Sequence, residues 1–359
     1  GANGVKLLLL GTSQLLTFKA THLGVEKQIK QDISSNGFVL FRTSPVRVNL
    51  LSSTGEELTG GEVSYFATKW WTLGDSNNTF ELFPGKYTFR MKYFDADPTI
   101  KQDVGENPIV EFRTTPVTVN LIDSKGNPLD EGTFKFYSRN WFSAGKANTT
   151  LELLPFEYSF EMNYRDALQQ KKLVVGGDPC EVTFQTGRVD LKLGGGKISY
   201  YTRNWFTYNG PVELLPVETI FRFSGGGFAD MQLKKVWAQA GESYESNVAM
   251  IRVLDSKKAG IPNVPISVHD GTWHDDVGVT GSNGQWLFFG STIPSYIFRV
   301  NVAGATQSIL RSITSDAFVT FRTYAVKVRL LDSLGNDLEG TAECKVGDQW
   351  LTIGSIGNN

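Results

Sequence analysis

One string recurs through the chain. Phe41-Arg42-Thr43-Ser44-Pro45-Val46-Arg47-Val48 returns as Phe112-Arg113-Thr114-Thr115-Pro116-Val117-Thr118-Val119, then as Phe184-Gln185-Thr186-Gly187-Arg188-Val189, and finally as Phe321-Arg322-Thr323-Tyr324-Ala325-Val326-Lys327-Val328. The phenylalanines stand 71, 72 and 137 residues apart, and the last interval holds two periods, so the mean period is 70 residues. A fixed period of this size restricts the chain to an array of like units, each stacked on its neighbours in sequence.

Three further signatures keep the same period. Leu51-Ser52-Ser53-Thr54-Gly55, Ile122-Asp123-Ser124-Lys125-Gly126-Asn127-Pro128-Leu129 and Leu331-Asp332-Ser333-Leu334-Gly335-Asn336-Asp337-Leu338 carry turn chemistry between apolar runs. Trp70, Trp141, Trp205, Trp273 and Trp350 form a column. The two apolar columns before it alternate with Ser64, Lys135, Ser199 and Ser267 in the first four copies, the period of a half-buried strand. In the fifth copy Ala342, Cys344 and Val346 alternate instead, which predicts a one-residue slip or bulge that puts Cys344 inside. Leu82-Phe83-Pro84, Leu153-Leu154-Pro155 and Leu214-Leu215-Pro216 each open a Pro-centred turn into another alternating strand. About seven short strands per period and no helical periodicity predict a tandem array of ~70-residue β-sandwiches, an all-β chain with half a unit at each end. Without linkers between units, the array is expected to be stiff.

The expected units are 46–116, 117–187, a degenerate 188–248, and 249–325. Residues 1–45 carry only the back half of a repeat, and residues 326–359 only a front half. Either the tail of one subunit completes the head of the next, or the chain is a stretch of a longer array, or its own two ends meet. A stiff array disfavours the last. The first makes a head-to-tail homopolymer, because joining unlike surfaces repeats without closing. The residues expected at that contact are Leu7, Leu8, Leu9, Leu10, Leu16 and Phe18 of the head, with Val328, Leu330, Leu338 and Trp350 of the tail.

At Val117-x-Val119-x-Leu121-Ile122-Asp123-Ser124-x-Gly126-Asn127-Pro128-Leu129, Trp141 and Leu154-Pro155-x-x-Tyr158-x-Phe160, the chain resembles bacterial surface proteins with tandem immunoglobulin-like or prealbumin-like repeats. Those include the carboxypeptidase-regulatory-like and collagen-adhesin B-type modules. The resemblance spans nearly the whole chain, least well 225–250, and implies an extracellular stalk, adhesin, spacer or pilus subunit. Some such modules crosslink a first-strand Lys to a last-strand Asn. Ile109–Thr115 and Phe318–Thr323 contain no Asn, so that bond is not expected here.

Lys plus Arg is 35 and Asp plus Glu is 37, a balance that offers no basic field for nucleic acid. No apolar run reaches the ~20 residues of a membrane helix. The polar cluster His269, Asp270, His274 and Asp276 has metal-ligand chemistry, but a polar hairpin is the commoner fate of such a run, so neither metal nor cofactor is expected. Gly194-Gly195-Gly196 leads into a strand rather than a helix and is no phosphate loop. No nucleophile set or acid pair emerges, and the chain reads as a non-enzyme. The Trp and Tyr columns are expected in cores and at contacts between repeats. Trp71, Phe142 and Phe206, which follow the Trp column, are the candidate exposed or contact aromatics. If exposed, they favour the alternative partners, glycans or other surface proteins. Asn77 and Asn148 head sequons, and Cys180 and Cys344 are free thiols or interchain partners.

Overall fold

The computed structural model describes residues 15–34, 37–346 and 348–356. Regular structure there is all β, and the chain divides into two compact units. The first runs to Phe184 apart from Asp123–Asn127 and Arg165–Ala167, which group with Gln185–Asn359 in the second.

In the first unit, β1 (Leu15–His22) and β2 (Val25–Asp32) make an antiparallel hairpin. The next seven strands are β3 (Ser44–Leu51), β4 (Glu62–Phe66), β5 (Trp70–Asp75), β6 (Asn78–Leu82), β7 (Lys86–Lys92), β8 (Thr99–Asp103) and β9 (Ile109–Arg113). They form sheets ordered β6-β3-β9 and β5-β4-β7-β8. Alternation sends Val46, Val48 and Leu50 of β3 inward with Val63, Tyr65, Phe89, Met91, Val110 and Phe112, and all are buried. The β3–β9 ladder is parallel, pairing Val48 with Val110 and Leu50 with Phe112. The pattern repeats in β10 (Thr115–Ile122), β11 (Thr133–Tyr137), β12 (Trp141–Lys146), β13 (Thr149–Leu153), β14 (Phe156–Tyr164), β15 (Ala167–Val175) and β16 (Cys180–Gln185), ordered β13-β10-β16 and β12-β11-β14-β15.

The second unit begins with β17 (Gly187–Lys192), β18 (Lys197–Tyr201), β19 (Trp205–Thr207), β20 (Val212–Leu214), β21 (Thr219–Gly225) and β22 (Phe228–Lys235). Then β23 (Ser243–Leu254) runs parallel to β17 through Ser243–Asn247 and on into pairing with β26 (Gln285–Gly290) and β29 (Phe318–Arg322). Its alternation serves two cores: Val248 and Met250 face one, Ala249, Ile251 and Val253 the other. A second sheet is ordered β19-β18-β21-β22. A third joins β24 (Pro265–His269), β25 (Trp273–Val279), β27 (Ser295–Val302) and β28 (Ala305–Ser312) in the order β25-β24-β27-β28. The hairpin of β30 (Gly340–Val346) and β31 (Gln349–Ile356) ends the described chain.

Two expectations are corrected. Cys344 is exposed, not buried. Ala342 pairs with Gly354 as Val63 pairs with Gly74, and Lys345 pairs with Trp350 as Phe66 pairs with Trp70. The β30–β31 turn is therefore one residue longer, which shifts the apolar alternation in sequence while Cys344 keeps the position Tyr65 holds. That position is open because the facing sheet is absent among the described residues. The Trp column is not in the cores either. Trp70, Trp141, Trp205 and Trp273 lie on outer sheet faces, each under a cation: Arg90 at 4.3 Å, Lys135 at 4.4 Å, Arg222 at 4.3 Å and Arg299 at 3.8 Å.

Candidate functional site

The candidate site is the contact that joins consecutive sandwiches, seen complete in the first unit; Asp123–Asn127 and Arg165–Ala167 make the same kind of contact within the second. Its first component is a two-residue hairpin tip in which both residues take positive φ, the geometry that matches strand twist. In the first unit these tips are Leu23-Gly24 (φ 47° and 76°) and Phe94-Asp95 (φ 47° and 58°). The Tyr65 hydroxyl donates to Leu23 O, and Ser138 Oγ donates to Phe94 O. Asn140 donates to Asp95 at 2.7 Å, and Arg139 pairs with Asp97 at 2.6 Å. Trp71 closes over Gly24, where a Cβ would stand 2.3 Å from its Nε1, and Phe94 packs on Phe142 with ring centres 5.3 Å apart. In the second unit Thr202 donates to Arg165 O at 2.7 Å, Asn204 donates to Asp166 at 2.9 Å, and Leu351 lies against the tip at Gly304. Phe206 stacks on Tyr200 with ring centres 5.1 Å apart.

The second component is a carboxylate clasp. Glu152 stands opposite Pro116 on β13. Ser53 donates to it twice, from N at 3.1 Å and Oγ at 2.6 Å, and Thr114 Oγ1 donates to the same group. In the second unit Glu213 takes Ser124 N at 3.0 Å, Ser124 Oγ at 2.8 Å, and Thr186 Oγ1. Burial pushes the Glu152 carboxyl up, but the donors from Ser53 and Thr114 outweigh it and hold the group below the usual glutamate range. A carboxyl depressed by folding stabilises above its unfolded pKa, and the contribution is lost as pH falls through the folded value. Glu152→Gln is thus expected to cost about 1 kcal/mol at pH 7, discounted for partial solvent access. In thermal melts that cost should shrink below about pH 4. An unchanged gap between wild type and variant at pH 3 would contradict the clasp.

The carboxylates stand one residue outside a recurrent sequence signature: Glu81, Glu152 and Glu213 immediately precede the Leu-Phe-Pro and Leu-Leu-Pro turns. The tips carry little sequence signal because Phe94-Asp95 and Arg165-Asp166 contain no Gly; what marks them is a constant 71-residue spacing, from Leu23 to Phe94 to Arg165.

Of the expected contact residues, Leu16 and Phe18 are half-buried, while Val328, Leu330, Leu338 and Trp350 are exposed. Leu7, Leu8, Leu9 and Leu10 lie outside the described residues. In the second unit a cavity of about 570 Å³ opens between Tyr324, Val326, Cys344, Leu351, Ile353 and Phe321. His274 pairs with Asp270 at 2.8 Å, while the His269 ring meets Trp273 and Asp276 sits at φ 51°. Among the described residues no three His, Cys, Asp or Glu side chains converge as for a metal ion. Asn77 bridges Leu50 N at 2.9 Å and Leu58 O at 2.8 Å, and Asn148 bridges Leu121 N at 2.9 Å and Leu129 O at 3.0 Å, so both sequon amides brace a strand to its turn. Burial raises the Cys180 thiol.

The fold and these contacts define a class: tandem β-sandwiches joined by tips and clasps. No family model and no curated protein matches the chain. Solved structures similar to it include the Bacillus anthracis TIE protein, at 10% identity over 79% of this chain and 74% of that one, with a TM-score of 0.17. A streptococcal ancillary pilin matches at 10% identity over 79% of this chain and all of that one, with a TM-score of 0.18. The pilus backbone RrgB from Streptococcus pneumoniae matches at 8% identity over 73% and 84%, with a TM-score of 0.19.

Proposed function

We propose that the chain is the subunit of an extracellular, cell-surface filament. Residues 326–359 of one copy and 1–45 of the next form one sandwich, flanked by repeats at 46–116, 117–187, 188–248 and 249–325. One observation carries the reading. Val46, Val48 and Leu50, like Val117, Val119 and Leu121, are fully buried, yet their counterparts Val326, Val328 and Leu330 are 69%, 40% and 42% exposed. Residues 323–330 form no strand, and neither do 37–43, the counterpart of β9. In the first repeat these two segments are each other's parallel partners. Transferring that register pairs Val328 with Val39 and Leu330 with Phe41 of a second copy, completing both ladders. The surface location rests on the resemblance of the repeat style. The glycan-binding alternative is less favoured, because the outer faces of Trp70, Trp141, Trp205 and Trp273 already carry Arg or Lys.

The reading predicts that the 359-residue chain by itself assembles into filaments. A chain lacking 326–359 should remain unassembled in sedimentation and electron microscopy. Filaments formed by the truncated chain, or no assembly of the 359-residue chain, would refute it.

A further inference from the structure

Glu81 stands opposite Pro45, as Glu152 stands opposite Pro116 and Glu213 opposite Arg188. It already holds the threonine of the clasp: Thr43 Oγ1 donates to it at 2.6 Å. His22 Nε2 bonds its backbone carbonyl at 2.8 Å, fixing the strand beside the first hairpin. Among the described residues no serine donates to Glu81, whereas Glu152 and Glu213 each receive two bonds from one serine.

A matching turn stands unused in the tail. Asp332 N donates to Asn336 O at 2.9 Å, as Asp123 N donates to Asn127 O at 2.7 Å. The Asp332 carboxylate takes Leu334 N at 2.9 Å and Asn336 N at 2.7 Å; the Asp123 carboxylate takes Lys125 N and Asn127 N, each at 2.8 Å. The Asn336 amide, and then the backbone donors, hold the Asp332 carboxyl below its usual range, just as Asn127 does for Asp123. The turn is therefore formed before any partner arrives. It presents Ser333 at the position of Ser124, yet Ser333 has no carboxylate partner among the described residues.

We propose that Glu81 and Ser333 are the two halves of one intersubunit clasp. The Ser333 turn of one copy donates from N and Oγ to Glu81 of the next, and Thr43 completes the set. This rests on the head-to-tail reading and specifies its contact at one atom group. Read from the tail of one copy into the head of the next, Ser333, Thr43 and Glu81 follow in the order of Ser53, Thr114 and Glu152. A neutral hydroxyl and amide meeting a carboxylate give a charge-assisted contact directed by geometry, one that an unrelated apolar edge does not satisfy. The clasp thus selects the correct partner as well as stabilising it.

The test uses the full chain and reads its critical concentration for assembly by sedimentation. Ser333→Ala and Glu81→Gln should each raise it about fivefold, the discounted cost of about 1 kcal/mol already given for the internal clasp. The double variant should be no worse than the stronger single one, because both remove the same contact. Ser53→Ala, which opens the internal counterpart, should lower thermal stability and leave the critical concentration within about twofold. Wild-type filaments whose critical concentration is unmoved by Ser333→Ala, or additive effects in the double variant, overturn the clasp alone. A wild-type chain that never assembles overturns the head-to-tail reading, and the clasp with it.

Discussion

Leu330→Asp should abolish filament growth while leaving the chain folded. In the free subunit the Leu330 side chain is partly in water, so a carboxylate there costs little. Under the proposed completion it would take the place of Leu50 and Leu121, both fully buried, against the Phe41 of a second copy. Burying an unpaired carboxylate costs several kcal/mol, and the lost leucine adds about 2 kcal/mol. At tenfold per 1.4 kcal/mol, the critical concentration should rise at least about a thousandfold. The asymmetry with Leu50→Asp makes the experiment diagnostic. The same substitution one repeat earlier should unfold its own sandwich, visible in far-UV dichroism of the unassembled chain. Leu330→Asp should leave dichroism unchanged and act only on sedimentation. If it assembles like wild type, these two half-repeats do not complete one another.

The all-β array was legible because its signal is redundant. Four occurrences of the Phe-x-Thr string set the period, and alternation such as Val117-Val119-Leu121 set the strands. Side-chain direction was less legible. Trp141 reads as a core residue by type, yet it faces outward, because Lys135 on the neighbouring strand covers its ring and supplies an alternative to burial. The fifth copy failed for a different reason. One extra residue in a hairpin turn mimics a strand slip in sequence, and only the pairing of Ala342 with Gly354 distinguishes the two. The clasps were illegible because their parts come from separate elements: Ser53 and Glu152 are 99 residues apart, and neither position is unusual alone. Sequence repetition marks what every repeat needs internally. Contacts between repeats emerge only when the register brings those positions together.

Phe160→Ala should destabilise the second sandwich by about 3–5 kcal/mol, and Trp141→Ala by no more than about 1 kcal/mol, although Trp is the larger side chain. Phe160 is fully buried and packs on Phe136 and Tyr158 with ring centres 6.3 Å away from each. Removing it leaves a cavity that rigid strands on both sides cannot close. Trp141 is exposed, with Lys135 over its face at 4.4 Å and Tyr137 beside it at 5.3 Å, so its loss uncovers outer-sheet surface and one cation–π contact. Denaturant unfolding of the full chain separates the cases. Phe160→Ala should split an early transition away from the remaining sandwiches, because a weakened unit in a tandem array unfolds ahead of its neighbours. Trp141→Ala should shift no transition by more than the scatter. Equal effects would return the Trp column to the cores. The aromatic pairs would then be inverted about their strands, and Trp71 and Phe142 could not be the residues that meet the preceding hairpin tips.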